Sequence, residues 1–148
     1  MPGARCREGV ESQGLIDTNI PVYAHIVNDG DLRATQARQL LKELWATETG
    51  VLSTQVLQEF YSVATKKTKL PRETARKVVA KYAEWDPIRT DPLLIVSASK
   101  LEENHTLAFY DALILEAALR SGATKLLTED MQHGRRFGNL LIENPFRP

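Results

Sequence analysis

Hydrophobic positions in this chain come in two kinds of run. Leu15-Ile16, Val51-Leu52, Leu126-Leu127 and Leu140-Leu141-Ile142 are short, uninterrupted and soon followed by polar residues, Asp17, Ser53, Thr128 and Asn144 among them. Such runs predict buried strands, each delivering a polar residue to its carboxyl end. Between them the apolar residues recur at helical spacing. Ile20–Val27 predicts a first short helix with Pro21 in its opening turn, and Asn28-Asp29-Gly30 then turns the chain. From Asp31, a good N-cap, Ala34, Ala37, Leu40, Leu41, Leu44 and Trp45 mark a long amphipathic helix, with Gly50 ending the region. Ser53 or Thr54 caps the next helix, whose stripe is Val56, Leu57, Phe60, Val63 and Ala64. Pro71 opens a helix with Ala75, Val78, Val79 and Tyr82 inward and Arg72, Arg76, Lys77 and Lys81 outward. Trp85–Thr90 reads as irregular or a weak strand, and Asp91-Pro92 starts a helix to about Glu103. After a connector at Asn104–Leu107, Tyr110–Arg120 reads as a buried helix that Gly122 terminates.

Strands alternating with helices, without hairpin signals such as Asn-Gly, predict an α/β fold, a mainly parallel central sheet in a three-layer α/β/α sandwich. Residues 1–13 carry little apolar content and read as a poorly ordered arm, or as translation from an upstream start codon. Residues 14–148 are then the domain. A chain of 148 residues can bury a core without disulfides or structural metal. Nineteen basic side chains balance nineteen acidic ones, so a nucleic-acid partner would be held by a local patch. The single cysteine, Cys6, fits a reducing compartment, and no apolar run has the length of a membrane span or signal peptide. The expectation is a cytoplasmic protein with no membrane partner.

Four acids stand at strand ends or helix beginnings: Asp17, Glu59, Asp111 and Asp130. Taken singly, each has an ordinary explanation. Asp17 reads as a turn cap, Glu59 as a solvated helix acid and Asp111 as an acid at a helix start. Their recurrence at four junctions, which an α/β topology gathers at one sheet edge, argues for a site. Like charges in one cleft repel unless a cation joins them. With oxygen ligands and no cysteine or histidine pattern, that cation would be hard, Mg²⁺ or Mn²⁺ ahead of Ca²⁺, which suits phosphate chemistry.

The strings LIDTN (15–19), LSTQVLQEFY (52–61), FYDALILEAAL (109–119) and LLTEDMQHG (126–134), with NPF near the end, resemble the PIN-domain family over residues 14–146, and within it the VapC-like ribonuclease toxins. The resemblance implies that Asp17, Glu59, Asp111 and Asp130 are the acidic quartet, both catalytic and metal-binding. Asp17, Asp111 and Asp130 hold one or two metals, and Glu59 is a ligand or water-orienting base. It places Thr18, Asn19 and Thr128 as polar support around the metal. It also implies metal-dependent endonucleolytic cleavage of RNA, a homodimer and a cognate antitoxin. The arm at 1–13 departs from the family pattern.

Lys66, Lys67, Lys69, Arg72, Arg76, Lys77 and Lys81, against Glu73 alone, read either as a grip on the RNA backbone or as a solvated helix face. Arg135 and Arg136 follow Asp130 and are candidates for phosphate contact or for surface ion pairs. Glu129 and Glu116 are eligible acids that miss the family's positions and read as solvated charge. His133 reads as structural or solvated, and His25 and His105 show no partner. Tyr110 is read as a core anchor ahead of a base-stacking residue, and Trp45 and Trp85 as packing residues. A haloacid-dehalogenase phosphatase would want an acid where Asn19 stands, and a receiver domain would want paired acids and a late lysine. A solitary RNA-processing nuclease and an inactive binding scaffold are the remaining alternatives.

Overall fold

The computed structural model describes residues 12–26 and 30–148. Expectations for residues 1–11 and for Val27, Asn28 and Asp29 lie outside the described residues. Five strands, β1 (Gly14–Ile16), β2 (Gly50–Val51), β3 (Lys125–Leu127), β4 (Arg136–Phe137) and β5 (Leu140–Glu143), form one sheet in the order β2-β1-β3-β5-β4. The first four strands in that order make three parallel pairings, and β4 joins β5 antiparallel. Helices cover both faces, giving the three-layer α/β/α architecture. β1 is buried on both faces, so its residues are uniformly apolar, and Leu15, Ile16 and the neighbouring Leu126 of β3 have no exposed surface, whereas β5 alternates buried Leu140 and Ile142 with half-buried Leu141 and Glu143.

Among the described residues six α-helices form, and three of them carry the expected side-chain N-caps. α1 (Asn19–His25) keeps Pro21 in its first turn, and Asp31 caps α2 (Leu32–Thr47) by accepting from the Arg33 amide at 2.8 Å. Ser53 caps α3 (Thr54–Ser62) through the Val56 amide, and the rod continues into a π-helical turn at Val63–Lys67. α4 (Arg72–Tyr82) follows Pro71 and runs into a short 3₁₀ turn at Ala83–Trp85. Asp91 caps α5 (Pro92–His105) at the Leu94 amide. α6 (Phe109–Ser121) buries Ala112, Leu113, Ile114, Leu115, Ala117 and Ala118, as an apolar helix in a core must, and Gly122 closes it with φ +78°. No helix of the described residues is long and apolar enough to cross a membrane.

Several expectations need correction. α2 is ended by Glu48 in the left-handed region, its amide bonding the Leu44 and Trp45 carbonyls, and not by Gly50. Gly50 serves packing instead: a Cβ there would sit 2.3 Å from the Trp85 ring. The connector at Asn104–Leu107 is shorter than expected, since α5 extends to His105 before Thr106 caps it. Trp85–Thr90 contributes one parallel bridge, Ile88 to Ser53. The β4–β5 hairpin was not anticipated. Its two-residue loop is Gly138-Asn139, with Gly138 at φ +63° and Phe137 paired to Leu140. Gly-Asn, like Asn-Gly, is a hairpin signal, because its glycine takes the positive φ that the two-residue loop requires.

Candidate active site

The chain leaves β1 toward β2 on one side of the sheet, whereas β3 and β5 lie on the other. The direction of strand order therefore reverses between β1 and β3, and the crevice beyond the carboxyl ends of those strands is where open α/β sheets bind ligands. Asp17 follows β1 directly, and its amide extends the ladder to the Leu127 carbonyl at 3.0 Å. Thr128 follows β3 and bonds across to the Glu143 carbonyl of β5 at 3.1 Å. Two neighbouring strand ends thus put Asp17 and the Thr128–Asp130 turn side by side.

Asp17 is the most enclosed of the four acids, with 5% of its surface exposed. Both carboxylate oxygens are occupied. The Thr128 hydroxyl donates to Oδ2 at 2.7 Å and the Thr18 amide donates to Oδ1 at 2.7 Å. Burial nevertheless dominates and raises its pKa to about 6; these two bonds pull the other way, and the charges of Asp130 and Glu59 add to the rise. Glu59 on α3 accepts from the Thr18 hydroxyl and, at 3.2 Å, from Nε2 of Gln55 one turn earlier. Asp130 accepts from Nδ2 of Asn19 at 3.1 Å, and its own amide donates to the Thr128 hydroxyl at 3.1 Å. Asp111, half-buried in the first turn of α6, also has a raised pKa, from desolvation first and then from the charges of Asp130 and Glu59.

All four acids therefore face one region, with Thr18, Asn19 and Thr128 connecting three of them. Among the described residues, no group of three or more histidine, cysteine, aspartate or glutamate side chains is drawn together closely enough to hold a metal ion as it stands. Like-charge repulsion, which adds to desolvation in raising the pKa values of Asp17 and Asp111, acts against such convergence. The donor set is nonetheless of the right kind for a hard cation. It is carboxylate and amide oxygen throughout, and Oδ1 of Asn19 is buried at the same edge without any hydrogen-bond partner.

Other expected residues are distributed unevenly. Lys66 and Lys67 are exposed on the π turn that prolongs the helix of Glu59, and Lys69 is exposed just beyond it with φ +58°. Arg135 lies with its guanidinium 4.7 Å from the Phe137 ring centroid, and Arg136 is exposed on β4. Tyr110 is not a core anchor: 65% of its surface is exposed, and the half-buried neighbour Phe109 takes the inward position. Glu129 is not simply solvated, since Tyr23 donates to it at 2.7 Å and Arg33 at 2.9 Å, tying the turn of Asp130 to α1 and α2. Glu116 is half-buried, with its pKa raised by desolvation. His133 accepts the Asn144 amide at 2.9 Å, a structural role. His25 meets the Tyr82 hydroxyl at 2.9 Å, and His105 packs edge-on against Phe137.

Sequence reasoning missed Gln55. It is 94% buried, and its Nε2 is shared between Glu59 and the Tyr110 carbonyl at 3.2 Å each, so one amide links two of the acid-bearing helices. The available signal was an amide one turn ahead of Glu59, beside the apolar stripe of an amphipathic helix.

Comparison with known proteins adds a family match. The model of the PIN domain matches residues 14–136. A toxin-antitoxin complex from Klebsiella pneumoniae has a TM-score of 0.67 at 17% identity, covering 92% of this chain and 100% of that one. VapC20 of Mycobacterium tuberculosis, described as a toxin that cleaves the sarcin-ricin loop, has 0.59 at 20%, covering 80% of this chain and 92% of its own. VapBC2 of Rickettsia felis, bound to a DNA fragment from its promoter, has 0.59 at 22%, with coverage of 88% and 97%. At these identities the structures establish a shared fold. No curated protein matches the chain.

Proposed function

The chain belongs to the PIN-domain family, and from that premise we propose that it is a metal-dependent endoribonuclease of the VapC type, the toxin of a toxin-antitoxin pair. The observation that carries the reading is the gathering of Asp17, Glu59, Asp111 and Asp130 from four separate elements at the β1–β3 edge. Asp17, Asp111 and Asp130, with Glu59 as a further ligand or as the base, are the residues that would hold Mg²⁺ or Mn²⁺. Such an ion, when bound, supplies Lewis-acid polarisation of a phosphodiester and neutralises charge on the leaving oxygen.

The chain's own groups set the geometry. Thr128 and the Thr18 amide fix both oxygens of Asp17, so its ring of partners is determined before substrate arrives. The Thr18 hydroxyl and Gln55 do the same for Glu59, which leaves its remaining lone pairs to orient a water molecule toward phosphorus. Asn19 holds Asp130. Tyr110, solvent-facing beside Asp111, is placed to stack a base of single-stranded RNA, and Lys66, Lys67, Lys69, Arg135 and Arg136 are charges available to its backbone.

Two of the similar solved structures are toxin-antitoxin assemblies, which supports a protein antitoxin as partner here. Exposed Leu93, Ile95 and Val96 on α5 supply apolar surface suited to a homodimer. The lone cysteine fits a cytoplasmic setting. The deciding experiment is cleavage of a mixed RNA pool by the purified protein in Mg²⁺ or Mn²⁺, beside EDTA and the Asp17→Asn and Asp111→Asn variants. Metal-dependent cutting that both folded variants lose is expected. Cutting that persists in Asp111→Asn would remove the quartet assignment, and no cutting by a folded, metal-binding wild type would favour a binding scaffold.

A further inference from the structure

The last basic residue of the 66–81 run stands at the rim of a pocket. Lys81 lies with its ammonium 5.3 Å from the Trp45 ring centroid, at the mouth of a cavity of about 310 Å³ between α1, α2 and α4. His25, Arg38, Lys42, Trp45, Lys81 and Tyr82 supply its chemistry. Its aromatic wall is rigid. Trp45 packs on Tyr82 at 5.7 Å and on Trp85 at 5.1 Å, and His25 bonds the Tyr82 hydroxyl while crossing its ring edge-on. Its rim is cationic. Lys42 and Lys81 are exposed, and among the described residues neither forms an ion pair with a carboxylate; Arg38 is fixed by donating Nε to the Ala24 carbonyl at 2.9 Å. Among the described residues, no acidic side chain lines the cavity.

We propose that this pocket is a nucleotide-binding subsite, taking one base against the half-buried Trp45 ring, which the buried Tyr82 backs, and its phosphate between Lys42 and Lys81. Planar rings beside unpaired ammonium groups are what a single-stranded nucleic acid requires, stacking for the base and charge for the backbone. The cavity is near the small end of the range for small-molecule sites, which suits one nucleotide and not a folded RNA element. Its location supports the same ligand. α1 begins with Asn19 in the acidic site and ends with His25 in the pocket, six residues or about 9 Å of helix later. A strand lying across the four carboxylates reaches the pocket within a few nucleotides. This subsite therefore rests on the ribonuclease reading for its strand, and it gives the enzyme an anchor on RNA flanking the scissile bond.

The test uses the full chain in EDTA, so that binding is read without cleavage. Nucleoside 5′-monophosphates and a short 2′-O-methyl oligoribonucleotide are titrated against tryptophan fluorescence and by calorimetry, with wild type, Lys42→Glu/Lys81→Glu and Trp45→Phe. The expected result is oligonucleotide affinity lowered by about tenfold or more in the charge reversal, with a salt slope smaller by about 1.4, the effect of losing two contacts to a single strand. The mononucleotide should be weaker than the oligonucleotide but compete for the same Trp45 signal, which identifies a strand and not a free nucleotide as the ligand. Both substituted lysines are exposed, so thermal unfolding should change only slightly, by no more than the loss of the Lys81 contact with Trp45. Unaltered affinity and slope in the charge reversal would overturn the subsite. Preferential binding of an acidic peptide such as polyglutamate, lost in the same variant, would also overturn it and assign the pocket to a protein partner. Failure of the nuclease reading is seen separately, as oligonucleotide binding without metal-dependent cutting.

Discussion

Replacing Asp17 with asparagine should stabilise the metal-free protein at neutral pH. Its carboxyl is held at about 6, against an ordinary value of 3.8, chiefly because burial disfavours the anion. The sign follows from proton binding: between those values the folded chain retains a proton that the unfolded chain has released. The stability contributed by this group is therefore full below the unfolded value and is lost as pH rises through about 6. Near pH 7 the loss amounts to about 3 kcal/mol. Asparagine has the same shape and no charge to desolvate. Its carbonyl can accept from the Thr18 amide, and its NH₂ can donate to the Thr128 hydroxyl oxygen, which must then also serve the Asp130 amide. That crowding offsets part of the gain, leaving about 1–3 kcal/mol.

Urea unfolding in EDTA measures the difference. For a protein of this size the midpoint of Asp17→Asn near neutral pH should lie above that of wild type by about 1 M. Near pH 4 the two curves should converge, because the wild-type carboxyl is then neutral in the folded state as well. Added Mg²⁺ should reverse the order, raising the wild-type midpoint with concentration and leaving the variant unmoved, since a ligand stabilises only a fold that binds it. A variant that is equally or less stable at neutral pH, with the wild-type pH profile, would refute the reasoning. So would a wild type that loses stability on acidification between neutral pH and about 5.

Three other substitutions probe the frame around the acids. Gln55→Met preserves volume but removes the donor shared by Glu59 and the Tyr110 carbonyl; a loss of about 1–2 kcal/mol in urea is expected, together with weaker Mg²⁺ binding by calorimetry, and unchanged metal affinity would leave Gln55 a packing residue only. Gly50→Ala drives a methyl into the Trp85 ring, so thermal unfolding should report a loss of about 1–3 kcal/mol or more, with altered tryptophan emission. Glu129→Gln removes the charge facing Arg33 but keeps an acceptor for Tyr23; because the pair is part-exposed, stability should change by less than about 1 kcal/mol, and a larger loss would show that the clamp on the Asp130 turn bears more of the fold than its exposure suggests.

Which features were legible in the sequence depends on how local their physics is. Asp31, Ser53 and Asp91 cap helices through amides two or three residues away, so each cap could be read from its own segment. The strands around Leu15 and Leu126 were legible because their buried positions on both faces are apolar, and the one around Ile142 because its run Leu140-Leu141-Ile142 is apolar throughout although its burial alternates. Placement of Asp17, Glu59, Asp111 and Asp130 along one edge followed from topology, which sends strand ends and the following helix starts to the same side. Interactions that depend on two distant segments were not legible. Nothing near Glu129 announces Tyr23 and Arg33, separated from it by 106 and 96 positions, and nothing near Gly50 announces Trp85.

Tyr110 and Gln55 show the same limit from the opposite side. In Phe109-Tyr110 both rings are apolar enough to be buried, and only the rotation of α6 against its neighbours decides that Phe109 packs while Tyr110 remains in solvent. In α3 the polar stripe of Gln55 and Glu59 runs beside the apolar stripe of Val56 and Phe60, and rotation of that helix carries the first polar position into the protein. Once there, its amide has to find partners or remain costly. Its Nε2 finds Glu59 and the Tyr110 carbonyl in the first turn of α6, bonds that hold two of the four acids in relation to each other, while among the described residues its Oε1 meets no partner and that part of the cost remains.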